Sequence, residues 1–226
     1  MQKHSLRTDG KKRVGDPKLA ARLNKELEGN VLFDKFSRGR YSTDASIYQI
    51  EPIGTVVPMS NADVERTINI AKDEGIPILP RGGGTSQCGQ VLGEALIIDT
   101  SKQLNRILEF DAETKTIEVE PGIVLDDLNR MLKPHKLFFP VDISTGSRAT
   151  IGGMAGNNAC GSRSIRYGNM VHNVLEIDAI LADGTKAHFG QVSGNLEDIG
   201  GPRSYLDIIS TLRKIAARES DEIDYR

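Results

Sequence analysis

The chain has 226 residues, enough for one large domain or for two small ones that share a core. Its formal net charge of -2 gives no general attraction to nucleic acid, so we expect no nucleic-acid partner. Its two cysteines form neither a disulfide framework nor a four-ligand zinc site, which favours a reducing, cytoplasmic setting. No apolar run approaches the length of a membrane span, so we predict none.

The N-terminal part predicts a tail and then a helix. Residues 1–15 carry five basic side chains against one acidic, which is typical of a solvated tail, with a nucleic-acid or partner contact as the alternative. Asp16 can cap a helix, Pro17 suits its first turn, and leucines recur every four residues from Leu19 to Leu27. We expect this helix to be an adjunct to the main domain.

A strand–helix–strand pattern follows the adjunct helix. Apolar segments at 54–59, 76–79 and 95–99 predict three short buried strands. Ser60 and Asp63 form a capping signature that predicts a helix between the first two strands. Apolar strands joined through a helix are typical of a parallel pair with a crossover connection.

The second half of the chain predicts hairpins and helices. Alternating segments at 106–110 and 116–120 predict one hairpin, and residues 174–189 predict another around an Asp-Gly turn. Helical spacing predicts helices at 124–133 and 203–218. The predicted fold class is therefore α+β, with a small parallel strand–helix–strand unit before a mainly antiparallel sheet flanked by helices.

A first glycine-rich loop spans residues 80–90. Its three consecutive glycines lack a Cβ, so their backbone N–H groups can point into one concavity and hold a phosphate or pyrophosphate. Thr85 and Ser86 add hydroxyl donors, and Arg81 either supplies charge or braces the loop. The loop lacks the Gly-Lys-Ser/Thr ending of a Walker loop and the spacing of a Rossmann fingerprint. Taken alone, it is equally consistent with a structural turn.

A second glycine-rich loop spans residues 140–161. Thr150 is placed to cap a short helix with two glycines in its first turn, and a helix N-terminus attracts anions. Asn157 and Asn158 are polar groups suited to the edge of a heteroaromatic ring. The alternative is an unusual helix turn in the core.

Taken together, the two loops resemble those of the FAD-linked oxidases of the p-cresol methylhydroxylase and vanillyl-alcohol oxidase type. The matching residues are Pro80-Arg-Gly-Gly-Gly-Thr-Ser, Thr150-Ile-Gly-Gly-Met, Asn158-Ala-Cys-Gly and Tyr167-Gly. The sequence is most similar to the D-2-hydroxy-acid branch, which includes D-lactate, glycolate and D-2-hydroxyglutarate dehydrogenases. The segment at residues 34–46 is similar to long forms of that branch.

The resemblance implies a FAD-binding domain of two α/β subdomains at residues 47–226, preceded by a tail and adjunct helix at 1–46. It also implies an N-terminal fragment, incomplete at its C-terminus and without the substrate cap domain. FAD is expected to bind non-covalently, because the histidine that covalent members often carry near the first loop is missing. The implied cofactor contacts are Pro80, Arg81, Gly82, Gly83, Gly84, Thr85, Ser86, Gln87, Gln90, Pro140, Asp142, Ser147, Thr150, Ile151, Gly152, Gly153, Asn157, Gly161 and Ser164.

The resemblance further implies hydride transfer from a D-2-hydroxy acid to the flavin, with electrons passing to a quinone, cytochrome or iron–sulfur module. We expect the fragment alone to be inactive, and the full-length enzyme to be cytoplasmic or peripheral to a membrane. We assign no catalytic residue. We also assign no metal ligand, because no two histidines have metal-ligand spacing. Arg163 and Arg166 either face the flavin or pair with local carboxylates. Cys88 and Cys160 are predicted to be small buried residues, with a position near the cofactor as the alternative for Cys88.

Three other functions are compatible with parts of the pattern. The chain could be a non-catalytic FAD-binding or electron-transfer subunit, or a truncated product. It could be a cell-wall precursor reductase of the same fold that uses NADPH, although the second loop fits the hydroxy-acid branch better. A phosphate- or nucleotide-sensing module would bind a nucleotide without a flavin.

Overall fold

The computed structural model describes residues 13–192 and 199–226, so residues 1–12 of the predicted tail lie outside the described residues. The helices described are α1 (Pro17–Glu26), α2 (Lys35–Tyr41), α3 (Asn61–Asp73), α4 (Leu125–Leu132), α5 (Ile151–Gly156), α6 (Ser164–Tyr167), α7 (Met170–Asn173), α8 (Arg203–Arg218) and α9 (Ser220–Tyr225). The strands described are β1 (Asn30–Leu32), β2 (Gly54–Val57), β3 (Ile78–Arg81), β4 (Leu96–Asp99), β5 (Ile107–Asp111), β6 (Thr116–Val119), β7 (Ile177–Ile180) and β8 (Lys186–Phe189).

The first sheet confirms the predicted parallel unit. Its strand order is β1-β2-β4-β3, with β2 and β3 both parallel to β4 and β1 antiparallel to β2. Every residue of β2 and β4 is buried, as the continuous apolar runs indicate. Strand β1 was not predicted, because three residues with no buried member give too little periodicity to recognise.

Helix α1 packs into the core of this sheet. Its N-cap Asp16 accepts hydrogen bonds from the backbone of Lys18 and Leu19, as the sequence predicts. Leu19 and Leu23 are buried in one cluster with residues of α3, β2 and β4. The helix expected to be an adjunct therefore shares the hydrophobic core of the parallel unit.

A second cluster lies beside the first hairpin. Strands β5 and β6 pair antiparallel, and Ile123, Leu128 and Leu132 pack against the hairpin's apolar side chains. Helix α4 thus buries the leucine face that its spacing predicts. A short 3₁₀ turn, Lys133–His135, follows it.

The chain divides into two compact units, Met1–Asn173 and Val174–Arg226. Within the second unit, β7 and β8 form a hairpin around the predicted Asp183-Gly184 turn, and α8 and α9 follow. The antiparallel part of the fold is thus two separate two-stranded ladders among the described residues, rather than one larger sheet. The α+β class is confirmed. In the part of the chain that the structure describes, no helix could cross a membrane.

Candidate functional site

The first glycine-rich loop leaves the carboxyl end of β3 with its amides uncommitted. The backbone N–H groups of residues 82–87 donate no hydrogen bond to any described residue. Gly84 has a φ of +65°, which favours glycine and turns the chain there. A run of free N–H groups can form an anion-binding concavity. The loop therefore has the kind of donors that a pyrophosphate requires.

Two glycines of this loop have a different role from the one the sequence suggests. A Cβ on Gly82 would overlap the Thr150 hydroxyl, and a Cβ on Gly83 would overlap the Arg148 carbonyl oxygen. Both clashing groups belong to the second loop. The missing side chains therefore let the two glycine-rich loops pack directly on each other.

Arg81 braces the first loop. Its guanidinium donates to the carbonyl oxygen of Thr43 at 2.8 Å and to that of Tyr41 at 3.4 Å, and it lies 5.3 Å from the Tyr41 ring centre. Desolvation by burial lowers the pKa of Arg81, with the negative charge of Asp99 acting against that shift. Of the two roles open to Arg81, these contacts favour bracing.

Helix α5 offers fewer free donors than its sequence indicates. Thr150 caps it as predicted, accepting from the Gly153 amide at 3.3 Å. The Ile151 amide donates to Ile123 and the Gly152 amide donates to Pro121, at 2.9 and 2.8 Å. The first-turn amides of α5 are therefore engaged within the protein, and the first loop is the main source of unpaired donors.

Polar side chains join the two loops. The Gln90 amide nitrogen donates to the Asn157 side-chain oxygen at 2.7 Å, and the Ser86 hydroxyl donates to the Gln90 side-chain oxygen at 2.8 Å. The structure thus brings together two of the predicted contact regions, 80–90 and 150–157.

Asp142 organises the end of the second loop. Its carboxylate accepts from the Arg163 backbone at 3.0 Å and from the Ser162 hydroxyl at 2.8 Å, and it forms an ion pair with the Arg163 side chain. These hydrogen bonds, that of the Arg163 backbone first, lower the pKa of Asp142. Ser164 accepts from the Gly161 amide at 3.0 Å. Arg163 therefore pairs with a local carboxylate, one of its two expected roles.

The remaining predicted residues are placed without a polar contact that would define their role. Ser147 is exposed and Pro140 is half-buried. Arg166 lies over the ring of its neighbour Tyr167. Among the described residues, no three potential ligands come close enough to hold a metal ion.

The prediction for the cysteines was wrong. Cys88 and Cys160 are both exposed free thiols rather than small buried residues. Each is followed by a glycine and lies outside the helices and strands, where no periodic pattern indicates which side chains are buried.

Sequence reasoning missed the side chains that support the first loop from outside it. Tyr41 is buried, and its hydroxyl donates to the carboxylate of Asp99 at 2.6 Å. Burial and this hydrogen bond raise the pKa of Tyr41. The segment was set aside as preceding the main domain, and a single tyrosine and a strand-end aspartate carry no local signal of their pairing.

The chain belongs to the FAD binding domain family, whose sequence model matches residues 52–190. FAD is accordingly its cofactor, and the uncommitted amides of the first loop fit its pyrophosphate.

Curated relatives carry more specific names. The chain is 38% identical to a D-2-hydroxyglutarate dehydrogenase of Pseudomonas putida, over 75% of the chain and 17% of that protein. It is 43% identical to the Escherichia coli protein of the same name, over 63% of the chain and 14% of that protein. It is 34% identical to the glycolate oxidase subunit GlcD of Bacillus subtilis, over 70% of the chain and 35% of that protein. The chain thus spans about a sixth of the length of the dehydrogenases it matches.

Solved structures share the fold. An alkyldihydroxyacetonephosphate synthase superposes with a TM-score of 0.69 at 21% identity, covering 79% of this chain and 38% of that one. The 6-hydroxy-D-nicotine oxidase of Arthrobacter nicotinovorans gives 0.64 at 20% identity, covering 73% and 36%. At this identity the comparison establishes the FAD-binding fold alone, which the sequence resemblance also predicted.

Proposed function

We propose that this chain is the FAD-binding part of a dehydrogenase that oxidises a D-2-hydroxy acid. The observation that carries the proposal is the pair of facing glycine-rich loops, held together at Gly82 and Gly83, in a chain whose curated relatives act by name on such acids. Four of the curated relatives are D-2-hydroxyglutarate dehydrogenases, which makes a dicarboxylic hydroxy acid the leading substrate.

Each loop has a distinct part in holding the cofactor. The amides of residues 82–87 would bind the pyrophosphate, because they are the donors that the protein leaves unpaired. The part of the second loop from Thr150 to Asn157 would cover the other side of the pyrophosphate. The Gln90–Asn157 hydrogen bond would fix the distance between the two loops. Asp142 would shape the 161–164 turn rather than contact the cofactor through its carboxylate.

Bound FAD supplies the hydride acceptor for oxidation of the substrate's α-carbon. The chain's own contribution is to bind, orient and shield it. We propose that the binding is non-covalent, because neither glycine-rich loop contains a histidine. The electrons would leave to a quinone, a cytochrome or an iron–sulfur module; one set of relatives is named D-lactate dehydrogenase [cytochrome], which favours this kind of acceptor.

The first experiment is a FAD titration of the purified chain, followed by desalting and a visible spectrum. We expect a retained flavin band that acid denaturation releases into the supernatant, and weaker retention of FMN, which lacks the pyrophosphate. NADPH and AMP serve as competitors, since a reductase or a nucleotide sensor would prefer one of them. A chain that is folded by circular dichroism yet retains no FAD would contradict the proposed site.

The substrate is tested on the protein encoded by the whole gene, because the relatives are much longer than this chain. Under anaerobic conditions we expect D-2-hydroxyglutarate, D-lactate or glycolate, which is achiral, to bleach the flavin band, and L-2-hydroxyglutarate and L-lactate to leave it unchanged. A flavin that none of these acids reduces would refute the dehydrogenase assignment while leaving the FAD site intact.

A further inference from the structure

Residues 41–48, which we call the strap, begin at the last residue of α2 and run towards β2. They lie outside the segment that the family model matches. The strap nevertheless contacts the first glycine-rich loop at its start, its middle and its end. Such a run of contacts along one loop differs from the usual behaviour of a surface connection, which is mobile and makes few tertiary contacts.

The start of the strap holds the start of the loop. Arg81, the last residue of β3, donates to the carbonyl oxygens of Tyr41 and Thr43 and lies over the Tyr41 ring. The same guanidinium fills the space beside Gly84, where a Cβ would meet the Arg81 Nη2 atom at 2.5 Å. The backbone at Gly84 therefore packs against a side chain that the strap fixes.

A buried hydrogen bond anchors this contact. The Tyr41 hydroxyl donates to the Oδ2 atom of Asp99, and both residues are buried. The other oxygen of Asp99 accepts from the amide and the hydroxyl of Ser101, at 2.8 and 2.6 Å. Since Asp99 ends β4, the anchor ties the strap to the rigid parallel sheet.

The middle and the end of the strap hold the rest of the loop. The Ala45 amide donates to the Ser86 carbonyl oxygen at 3.1 Å. The Tyr48 ring packs on Gly89, where a Cβ would meet its Cδ2 atom at 2.9 Å. The unpaired amides of residues 82–87 thus lie between two points at which the strap contacts the loop.

We propose that the strap is part of the FAD site, with Tyr41, Arg81 and Tyr48 as positioning residues that preorganise the first loop for the pyrophosphate. This inference rests on the proposed function, because it concerns the same site. Preorganisation lowers the entropy lost on binding, so loosening the strap weakens FAD binding without removing a cofactor contact.

The main test compares Tyr48→Ala with Ile47→Ala in FAD titrations of the intact chain. Ile47 is 95% exposed and Tyr48 is 55% exposed, so neither substitution threatens the fold. We expect Tyr48→Ala to raise the FAD dissociation constant by about tenfold, because binding must then also order the loop, and Ile47→Ala to leave it unchanged. Equal dissociation constants for both variants would overturn the proposal.

A second test uses Tyr41→Phe, which keeps the ring and removes the hydroxyl, with Tyr225→Phe as its control because Tyr225 is 86% exposed. Hydrogen exchange at the Ala45 amide is measured without FAD. We expect faster exchange in Tyr41→Phe and Tyr48→Ala, whereas the β2 amides keep their protection. Unchanged Ala45 exchange would refute the proposal that the strap holds the loop, whether or not the chain binds FAD. Failure to retain FAD, by contrast, would count against the proposed function alone.

Discussion

At the scale of single residues, the glycines of the first loop serve packing between loops as much as ligand approach. Gly82 faces the Thr150 hydroxyl and Gly83 faces the Arg148 carbonyl oxygen, so the absent side chains determine how closely the two loops meet. The sequence shows a glycine at each position, but the groups that leave no room for a side chain lie 68 and 65 positions further along the chain and are known only from the fold.

Gly83→Ala tests this role. The added methyl group would push the second-loop backbone away, and overpacking of this kind costs about 1–3 kcal/mol. We expect a loss of FAD affinity of tenfold or more, measured by titration.

The matched control is Gly39→Ala, since a Cβ there meets nothing within 4 Å. Gly39 lies inside α2, where alanine favours the helix, so this variant should keep its FAD affinity and melt at the same or a slightly higher temperature. If Gly83→Ala left the affinity for FAD unchanged, FAD binding would not depend on the present separation of the two loops.

At the scale of secondary structure elements, the β5–β6 hairpin is closed by one buried carboxylate. Glu120 accepts from the Arg106 backbone amide at 2.8 Å and from its guanidinium at 2.7 Å. These bonds, that of the side chain first, lower the pKa of Glu120 below its usual 4.5. A carboxylate whose pKa is lower in the folded state stabilises the fold above its unfolded pKa, and this stabilisation disappears as the pH falls through the folded pKa.

Glu120→Gln should therefore lower the free energy of unfolding at neutral pH by about 2 kcal/mol, the value of charged hydrogen bonds. The difference from the unsubstituted chain should shrink as the pH falls below 4.5, which urea unfolding at a series of pH values measures. Glu118→Gln on the same hairpin is the control, because Glu118 is exposed and its substitution should change stability by less than about 0.5 kcal/mol. A constant difference between Glu120→Gln and the unsubstituted chain would exclude Glu120 as the titrating group.

Most elements of the fold were predictable because their signals are local. The cap at Asp16, the buried strands β2 and β4, the leucine face of α4 and the Asp-Gly turn each follow from a few neighbouring residues. The candidate site was predictable as two loops, since glycine runs mark them. Its supports were not: the pairing of Tyr41 with Asp99, 58 positions apart, depends on tertiary packing that no local pattern encodes.

At the scale of the whole molecule, the two compact units differ in how much they bury. In Val174–Arg226, the buried hydrophobic residues among those described are Ala187 and Tyr205. The first unit contains two apolar clusters and a sheet with two fully buried strands. The domain boundary expected at residue 46 remains a prediction, although α1 shares the core of the sheet.

Local stability should follow this difference in burial. We expect the opening free energies measured at the β7 and β8 amides to be lower than those at the β2 and β4 amides. The reason is that opening the second unit exposes little buried apolar surface. Native-state hydrogen exchange across a denaturant series measures both sets in one experiment. Equal opening free energies in the two units would show a single cooperative structure instead.

The two exposed thiols provide natural attachment sites for a distance measurement between the two loops. Cys88 stands in the first loop and Cys160 near the end of the second, and they are the only cysteines in the sequence. Spin labels attached to the unaltered protein would therefore sit one on each loop, with no engineered attachment point. The width of the interlabel distance distribution would report how firmly the two loops are fixed without FAD. Its narrowing on titration with FAD would show how much further the cofactor restrains them.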